Sequence, residues 1–153
     1  MNLWSRLYDG DRANSIYKGY LKEQCTKSLF AYCGSTLQVD GAFGLTAAVT
    51  EMIVQSHEGV IDLLPALPNE WSNGHFDGVC VRGGFELDIK WKDKEISSLE
   101  IISKVGNTCK ILAEGNFRVM DGLAEILTKQ NKDGSIQFET TEGKTYQLVI
   151  SGP

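Results

Sequence analysis

The chain is poor in the residues that most often build metal and redox sites. Of its 153 residues, two are histidine, four cysteine, three proline and three methionine. His57 and His75 are too few and too far apart for a zinc motif, and no C-x-x-C occurs. The cysteines at 25, 33, 80 and 109 do not form a disulfide framework. Free buried thiols are expected. A Cys25–Cys33 pair is the alternative, so the compartment stays open. The chain also lacks a G-x-S-x-G elbow, a Walker A loop, H-E-x-x-H and a Gly-rich dinucleotide fingerprint. Positive charge is in deficit, with 15 Lys and Arg against 20 Asp and Glu, a formal charge of −5. That removes the basic footprint a nucleic-acid partner requires. No apolar run approaches the roughly 18 to 20 residues needed to span a bilayer. The longest, 45–54, is broken by Thr46, Thr50 and Glu51. The first residues lack the basic-then-apolar layout of a signal peptide.

What is present reads as an ordinary folded chain, 42% hydrophobic and 23% charged. Ile16, Tyr20, Lys27 and Phe30 recur at helical spacing, and the spacing predicts a helix over 12–30. Asp9 and Asp11 stand where helix caps and first-turn acids are favoured. Leu45, Ala48, Val49, Met52 and Ile53 form one apolar stripe. They predict a second helix from Gly44 to His57, stopped by Gly59. Beyond Gly59 the period shifts to two. Strands are expected at 60–64, 78–82, 85–91, 96–103, 108–114, 134–139 and 146–150. Phe85-Glu86-Leu87-Asp88-Ile89-Lys90-Trp91 alternates at every step, as a half-buried antiparallel strand should. Short strands at this rhythm point to a sandwich. The fold class is therefore α+β, with two helices followed by an antiparallel β-sandwich. Two helices alone make a poor core and must pack on something else.

Among candidate functional residues, His57 is expected in the last turn of its helix, where a cation complements the dipole. Trp91 reads as core and Trp71 as a plug in a junction loop. The richest stretch is Leu37-Gln38-Val39-Asp40-Gly41-Ala42-Phe43-Gly44, which joins the two helices. It combines an amide, a carboxylate, an aromatic and two glycines, which permit close approach to a ligand. Asp40 is either a base, or the partner that orients one, or the cap of the following helix. Standard glycoside hydrolysis needs two carboxylates. Asp9, Asp11, Glu51, Glu58 and Asp62 cannot be paired with Asp40 by spacing.

Four segments, in order, resemble the C-terminal part of glycoside hydrolase family 95, the α-L-fucosidases. Trp4-Ser5-Arg6-Leu7-Tyr8-Asp9-Gly10-Asp11-Arg12-Ala13 resembles the family's helix-entry motif. Residues 37–44 resemble its Q-I-D-G-N-F-G active-site segment. Glu51-Met52-Ile53-Val54-Gln55-Ser56-His57 is similar to the helix that follows. Ile61-Asp62-Leu63-Leu64-Pro65-Ala66-Leu67-Pro68-Asn69-Glu70-Trp71, then Val81-Arg82-Gly83-Gly84-Phe85-Glu86-Leu87, resembles the entry to the C-terminal β domain. The likeness is clear over residues 2–92 and weaker beyond.

The resemblance implies that residues 1–59 are the last helices of an (α/α)6 catalytic barrel and 60–153 a C-terminal β-sandwich domain. It implies an inverting hydrolase of terminal α-L-fucosyl linkages. A glutamic acid protonates the leaving oxygen, an asparagine amide activates water, and an aspartate, here Asp40, polarises that amide. Gln38, Gly41 and Phe43 would be substrate-binding. The acid and the asparagines belong to an upstream barrel with no matching segment here, so the chain by itself is expected to be inactive. Its expected partners are a fucosylated oligosaccharide or glycan and that missing barrel. No nucleic acid, membrane, metal or cofactor is implied, and an exported or periplasmic parent is one alternative for location. The family's Asn after Asp-Gly is Ala42 here, and its His six residues before the aspartate is Gly34. A related sugar such as L-galactose is therefore an open substrate. Two other readings stand beside this one: a non-catalytic carbohydrate-binding or accessory β module, and a decayed remnant.

Overall fold

The computed structural model describes residues 1–150 and divides into two compact units. The helical unit comprises Met1–Val54 and Leu64–Trp71; the β unit comprises Gln55–Leu63 and the chain from Ser72 onward.

The helical unit holds α1 (Asn2–Arg6), α2 (Gly10–Gln24), a small hairpin of β1 (Tyr32–Cys33) and β2 (Thr36–Leu37), and α3 (Val39–Ile53). Asp9 caps α2 by accepting from the Arg12 N–H at 3.0 Å. The helix stops at Gln24, short of the expected 30. Cys25 is already extended, and the chain turns back through Leu29 at φ 61°. That turn has its own hydrogen bonds: Phe30 N–H to Thr26 Oγ1 at 3.1 Å and Leu29 N–H to the Thr26 carbonyl at 2.9 Å. A threonine that satisfies the backbone locally competes with helix continuation.

α3 begins at Val39, five residues before the expected Gly44, and ends at Ile53 rather than His57. Its last carbonyls are taken by the returning chain: Leu64 N–H bonds Ile53 at 2.7 Å and Ala66 N–H bonds Met52 at 3.2 Å. Gly59, expected to stop the helix, lies instead in a later turn at φ 76°. The segment 64–71 folds back onto the helices. Asp11 accepts from the Asn69 backbone at 2.8 Å and from its side chain at 2.5 Å, and Lys18 pairs with Glu70. Trp71 sits edge-on to Tyr17 at 6.4 Å, the packing role expected of it. Gly10 is required here, since a Cβ would lie 2.0 Å from the Ala66 carbonyl oxygen. The core of this unit is small: Ala13, Met52 and Ala66, with Met1, Trp4 and Trp71 packed against them.

The β unit is a sandwich. A six-stranded antiparallel sheet runs in the order β10-β9-β13-β7-β6-β5, and a five-stranded sheet in the order β11-β12-β8-β4-β3. The strands are β3 (Val54–Gln55), β4 (Ile61–Leu63), β5 (Gly74–Val81), β6 (Phe85–Lys92), β7 (Glu95–Ser103), β8 (Cys109–Leu112), β9 (Phe117–Asp121), β10 (Ala124–Ile126), β11 (Lys129–Gln130), β12 (Ile136–Phe138) and β13 (Thr145–Ile150). β6 buries Phe85, Leu87, Ile89 and Trp91 and turns Glu86, Asp88 and Lys90 outward, as its alternation predicts. The sheets meet through large side chains, with Phe138 of β12 at 5.5 Å from Tyr146 of β13. One pair departs from the expected antiparallel pattern: β4 runs parallel to β8. β9, β10 and β11 were not foreseen, because Gly115, Gly122 and exposed leucines break their alternation. β9 takes its place in the sheet from distant β13, while β10 pairs locally with β9 and β11 with β12.

Candidate functional site

The strongest candidate segment lies in the helical unit, at the start of α3. The hairpin β1–β2 closes at its base where the Gln38 N–H bonds the Ala31 carbonyl at 2.9 Å. Gln38 is then extended (φ −130°, ψ 102°) and stands at the cap position of α3, with no side-chain capping bond. Asp40 is the acidic residue of the first turn, where a negative charge is favoured by the helix dipole. It is not the cap.

The 3.6-residue period sorts the rest of the segment. Asp40, Phe43, Gly44 and Ala47 fall on one stripe of α3; Gly41, Leu45, Ala48 and Met52 fall on a second, about 100° further round the helix. Ala48 and Met52 are fully buried. Asp40 and Phe43 are exposed, Phe43 at 71%. A Cβ at Gly44 would meet nothing within 4 Å. A Cβ at Gly41 would lie 2.0 Å from the Tyr20 hydroxyl and 3.5 Å from the Ala31 methyl. The two glycines thus differ: one looks into open space, the other into the helix packed beneath. Asp40 and Phe43 share an accessible side, Gln38 before the helix is also exposed, and Gly41 is turned inward.

Of the other carboxylates in this unit, Glu23 at the exposed end of α2 makes no hydrogen bond or ion pair among the described residues, and the rest are occupied. Asp9 caps α2, Asp11 holds Asn69, and Glu51 forms a two-point pair with Arg6 at 2.7 and 2.8 Å. Glu51 pushes the Arg6 guanidinium up, and Lys18 holds the Glu70 carboxyl below its usual range. Asp40 makes no hydrogen bond or ion pair among the described residues. Around it the surface is apolar, with Leu29, Phe30, Tyr32, Leu37, Val39 and Phe43 all exposed.

The remaining candidates separate. His57 lies beyond the end of α3 rather than in its last turn, because α3 yields to β3 at Val54. Its Nε2 is 3.8 Å from Glu58. Trp4 is half-buried beneath the Arg12 guanidinium at 4.2 Å, and Trp91 is core, so neither offers a free face to a sugar ring. All four cysteines are free, but only Cys109 is buried as expected; Cys33 and Cys80 are exposed. Burial pushes the Cys109 thiol up to about 12. Sequence reading missed Tyr20, whose hydroxyl reaches Gly41 from 21 residues upstream; no local pattern signals that approach.

Residues 1–53 match the model of the glycosyl hydrolase family 95 catalytic domain, and residues 55–148 match the model of the glycoside hydrolase family 95 C-terminal domain. The chain belongs to glycoside hydrolase family 95. It is 37% identical over 91 residues to Alpha-L-fucosidase 2 of Arabidopsis thaliana, an alignment covering 59% of this chain and 10% of that protein. It is 26% identical over 133 residues to Probable alpha-fucosidase A of Aspergillus oryzae, covering 76% of this chain and 18% of that protein. The family 95 chain therefore spans between a tenth and a fifth of the length of these relatives. The Asp40 segment falls in the part matched to the catalytic domain, and the sandwich in the part matched to the C-terminal domain.

Proposed function

We propose that this chain is the C-terminal part of an inverting α-L-fucosidase-like glycoside hydrolase. Its substrate is a terminal α-L-fucosyl, or related α-L-galactosyl, residue of an oligosaccharide or glycan. In this reading residues 1–59 are the last helices of the catalytic barrel, and 60–153 form the β domain that follows it in the chain. The observation that carries it is Asp40: a carboxylate with no partner among the described residues, on the accessible stripe of a helix matched to the catalytic domain.

The chemistry follows from what a carboxylate can do from that position. Accepting a hydrogen bond from an amide N–H drives electron density toward the amide oxygen. That oxygen then takes a proton from water more readily, so the amide serves as general base. Asp40 polarises the base and does not itself attack. Gln38 and Phe43, both exposed, contact the sugar, and Gly41 enters through its backbone alone. The acid and the amide come from the upstream barrel. The apolar surface around Asp40 is what the end of a barrel leaves uncovered without its other helices. Gly34 and Ala42 stand where the family has larger polar side chains, which loosens the grip on fucose and admits its 6-hydroxylated analogue.

The test is kinetic. In the full-length gene product, Asp40→Asn should lower kcat on an aryl α-L-fucoside by about 10²- to 10⁴-fold, the usual worth of acid–base assistance. Its circular dichroism and melting midpoint should stay close to the parent's. Unchanged turnover would return Asp40 to a purely structural place in the first turn. Residues 1–153 by themselves should show no turnover, since acid and base must share one site.

A further inference from the structure

We propose that Tyr20 is a positioning residue for Asp40 and acts through Gly41. The inference rests on the reading of Asp40 given above. α3 could in principle settle nearer to or further from α2 at its first turn, because Gln38 supplies no side-chain cap to fix it. What fixes it is volume. The Tyr20 hydroxyl occupies the place where any other residue at 41 would carry its Cβ, 2.0 Å from that position, with the ring Cζ at 3.3 Å and the Ala31 methyl at 3.5 Å. Among the described residues the hydroxyl has no hydrogen-bond partner, so it acts as a spacer and not as a tether.

The spacer stands on a braced element. α2 is capped by Asp9, tied to 64–71 through Asp11–Asn69 and Lys18–Glu70, and wedged by Tyr17 against Trp71. Moving the phenol oxygen away means rotating the whole ring, since a tyrosine has only two side-chain torsions. Asp40 is the next residue along the same turn, on the accessible side. The height of that turn above α2 therefore sets where the carboxylate sits. A shift of about 1 Å in a catalytic group, even one caused from a distance, can cost about 10²-fold in rate. Gly44 provides the internal contrast, since its Cβ position is open and a side chain there disturbs nothing beneath.

The test is a double-variant cycle in the full-length gene product, reading kcat and KM on an aryl α-L-fucoside together with the melting midpoint. Gly41→Ala should lower kcat by about 10²-fold, with a smaller change in KM. Tyr20→Phe removes one oxygen and should lower kcat about three- to tenfold with the fold intact. Combined, Tyr20→Phe with Gly41→Ala should regain at least tenfold over Gly41→Ala, because the phenyl edge leaves the new methyl a tight but usable 3.3 Å. Recovery of kcat with little change in midpoint supports the proposal; a purely structural contact would move the midpoint and leave kcat alone. Additive losses, or Gly41→Ala with parental kcat, overturn it. If Gly41→Ala does not fold, Tyr20→Phe carries the test: a parental kcat there overturns the proposal. Asp40→Asn, run in parallel, separates the two ideas. A collapse of kcat in Asp40→Asn with no effect at Gly41 or Tyr20 defeats positioning only, whereas a parental kcat in Asp40→Asn defeats the reading of the site itself.

Discussion

The two units of this chain bury different things. In the helical unit the buried apolar residues include Ala13, Ala31, Ala48 and Ala66, with Met52, Ile53, Val54 and Leu67 as the larger members. In the β unit they are Phe85, Leu87, Ile89, Trp91, Leu99, Ile101, Ile111, Phe138, Tyr146 and others of that size. The surfaces run the other way. The helical unit exposes Leu3, Leu7, Tyr8, Ile16, Leu29, Phe30, Leu37, Val39 and Phe43; the β unit exposes Val105, Leu123, Leu127 and Val149. Stabilisation scales with apolar area removed from water, about 25 cal/mol per Å². The sandwich collects that area inside itself. The helices hold much of theirs on the outside, and the accessible carboxylate lies in the midst of it. The lesson is that the β unit holds a core of its own, whereas the helical unit leaves much of its apolar surface for something else to cover.

The largest way to sharpen this contrast is through the thiols. At pH 8 an exposed Cys33 or Cys80 should react freely with a thiol reagent, while Cys109, buried in β8 with its thiol pushed up to about 12, waits for the sandwich to open. An opening cost near ~4 kcal/mol would separate the rates by roughly 10³. Similar rates for Cys109 and Cys33 would mean that the β unit is no firmer than the helices.

Next comes Leu87→Ala, which empties a fully buried position in β6. It should cost about 3 kcal/mol in denaturant unfolding of the β unit, within the usual range for such truncations. A loss near zero would break the claim that this unit carries its own core.

A smaller effect is expected at low pH. Lys110 at 2.7 Å, and then the Ser135 hydroxyl and N–H, hold the Asp133 carboxyl well below its usual range. Its pKa is lower in the folded state than in the unfolded state. The stability it contributes is therefore complete above the ordinary carboxylate range and is lost as pH falls through the lowered folded value. The turn is exposed, so the loss is screened and modest. Unfolding midpoints of Asp133→Asn and parent, followed from pH 5 to 2, should converge as the pH drops; parallel curves would remove Asp133 from the acid response.

The smallest effect is the most telling. Phe43→Ser removes an aromatic from a residue that is 71% exposed. In residues 1–153 it should change stability by about 0.5 kcal/mol or less, as surface substitutions do. In the full-length gene product it should raise KM for the fucoside. A large destabilisation of the short chain would show that Phe43 already has a packing partner within it.

Much of the architecture was readable in advance because it is local. The alternation of 85–91 depends only on each residue's neighbours at i±2, and β6 appeared where that alternation stood. Asp9 as a cap and Trp91 as core are decided by the same short-range rules. The failures were at boundaries. α2 ended early because Thr26 offers the backbone a competing partner. α3 started early because the hairpin hands the chain over at Gln38. β9 gains its place through β13, about 30 residues away, which no periodicity carries, and β10 and β11 are two or three residues long, too short to show a period. The site was half legible. Its segment could be picked out by residue type, but the sidedness of Asp40 and Phe43 against Gly41 depended on where the helix began.

The sequence by itself determined the helix-then-strand order, the core alternation of the sandwich and the family, since these rest on residue types at short, fixed spacings. Tertiary structure alone decided that residues 64–71 return to the helices, that β4 runs parallel to β8, that Asp40 has no partner among the described residues while Asp11 and Glu51 are tied, and that Tyr20 fills the space beside Gly41. Each of these is a meeting of groups far apart in the chain. Such meetings are set by which surfaces can be buried together at least cost, and that cost is defined only once the whole chain has folded.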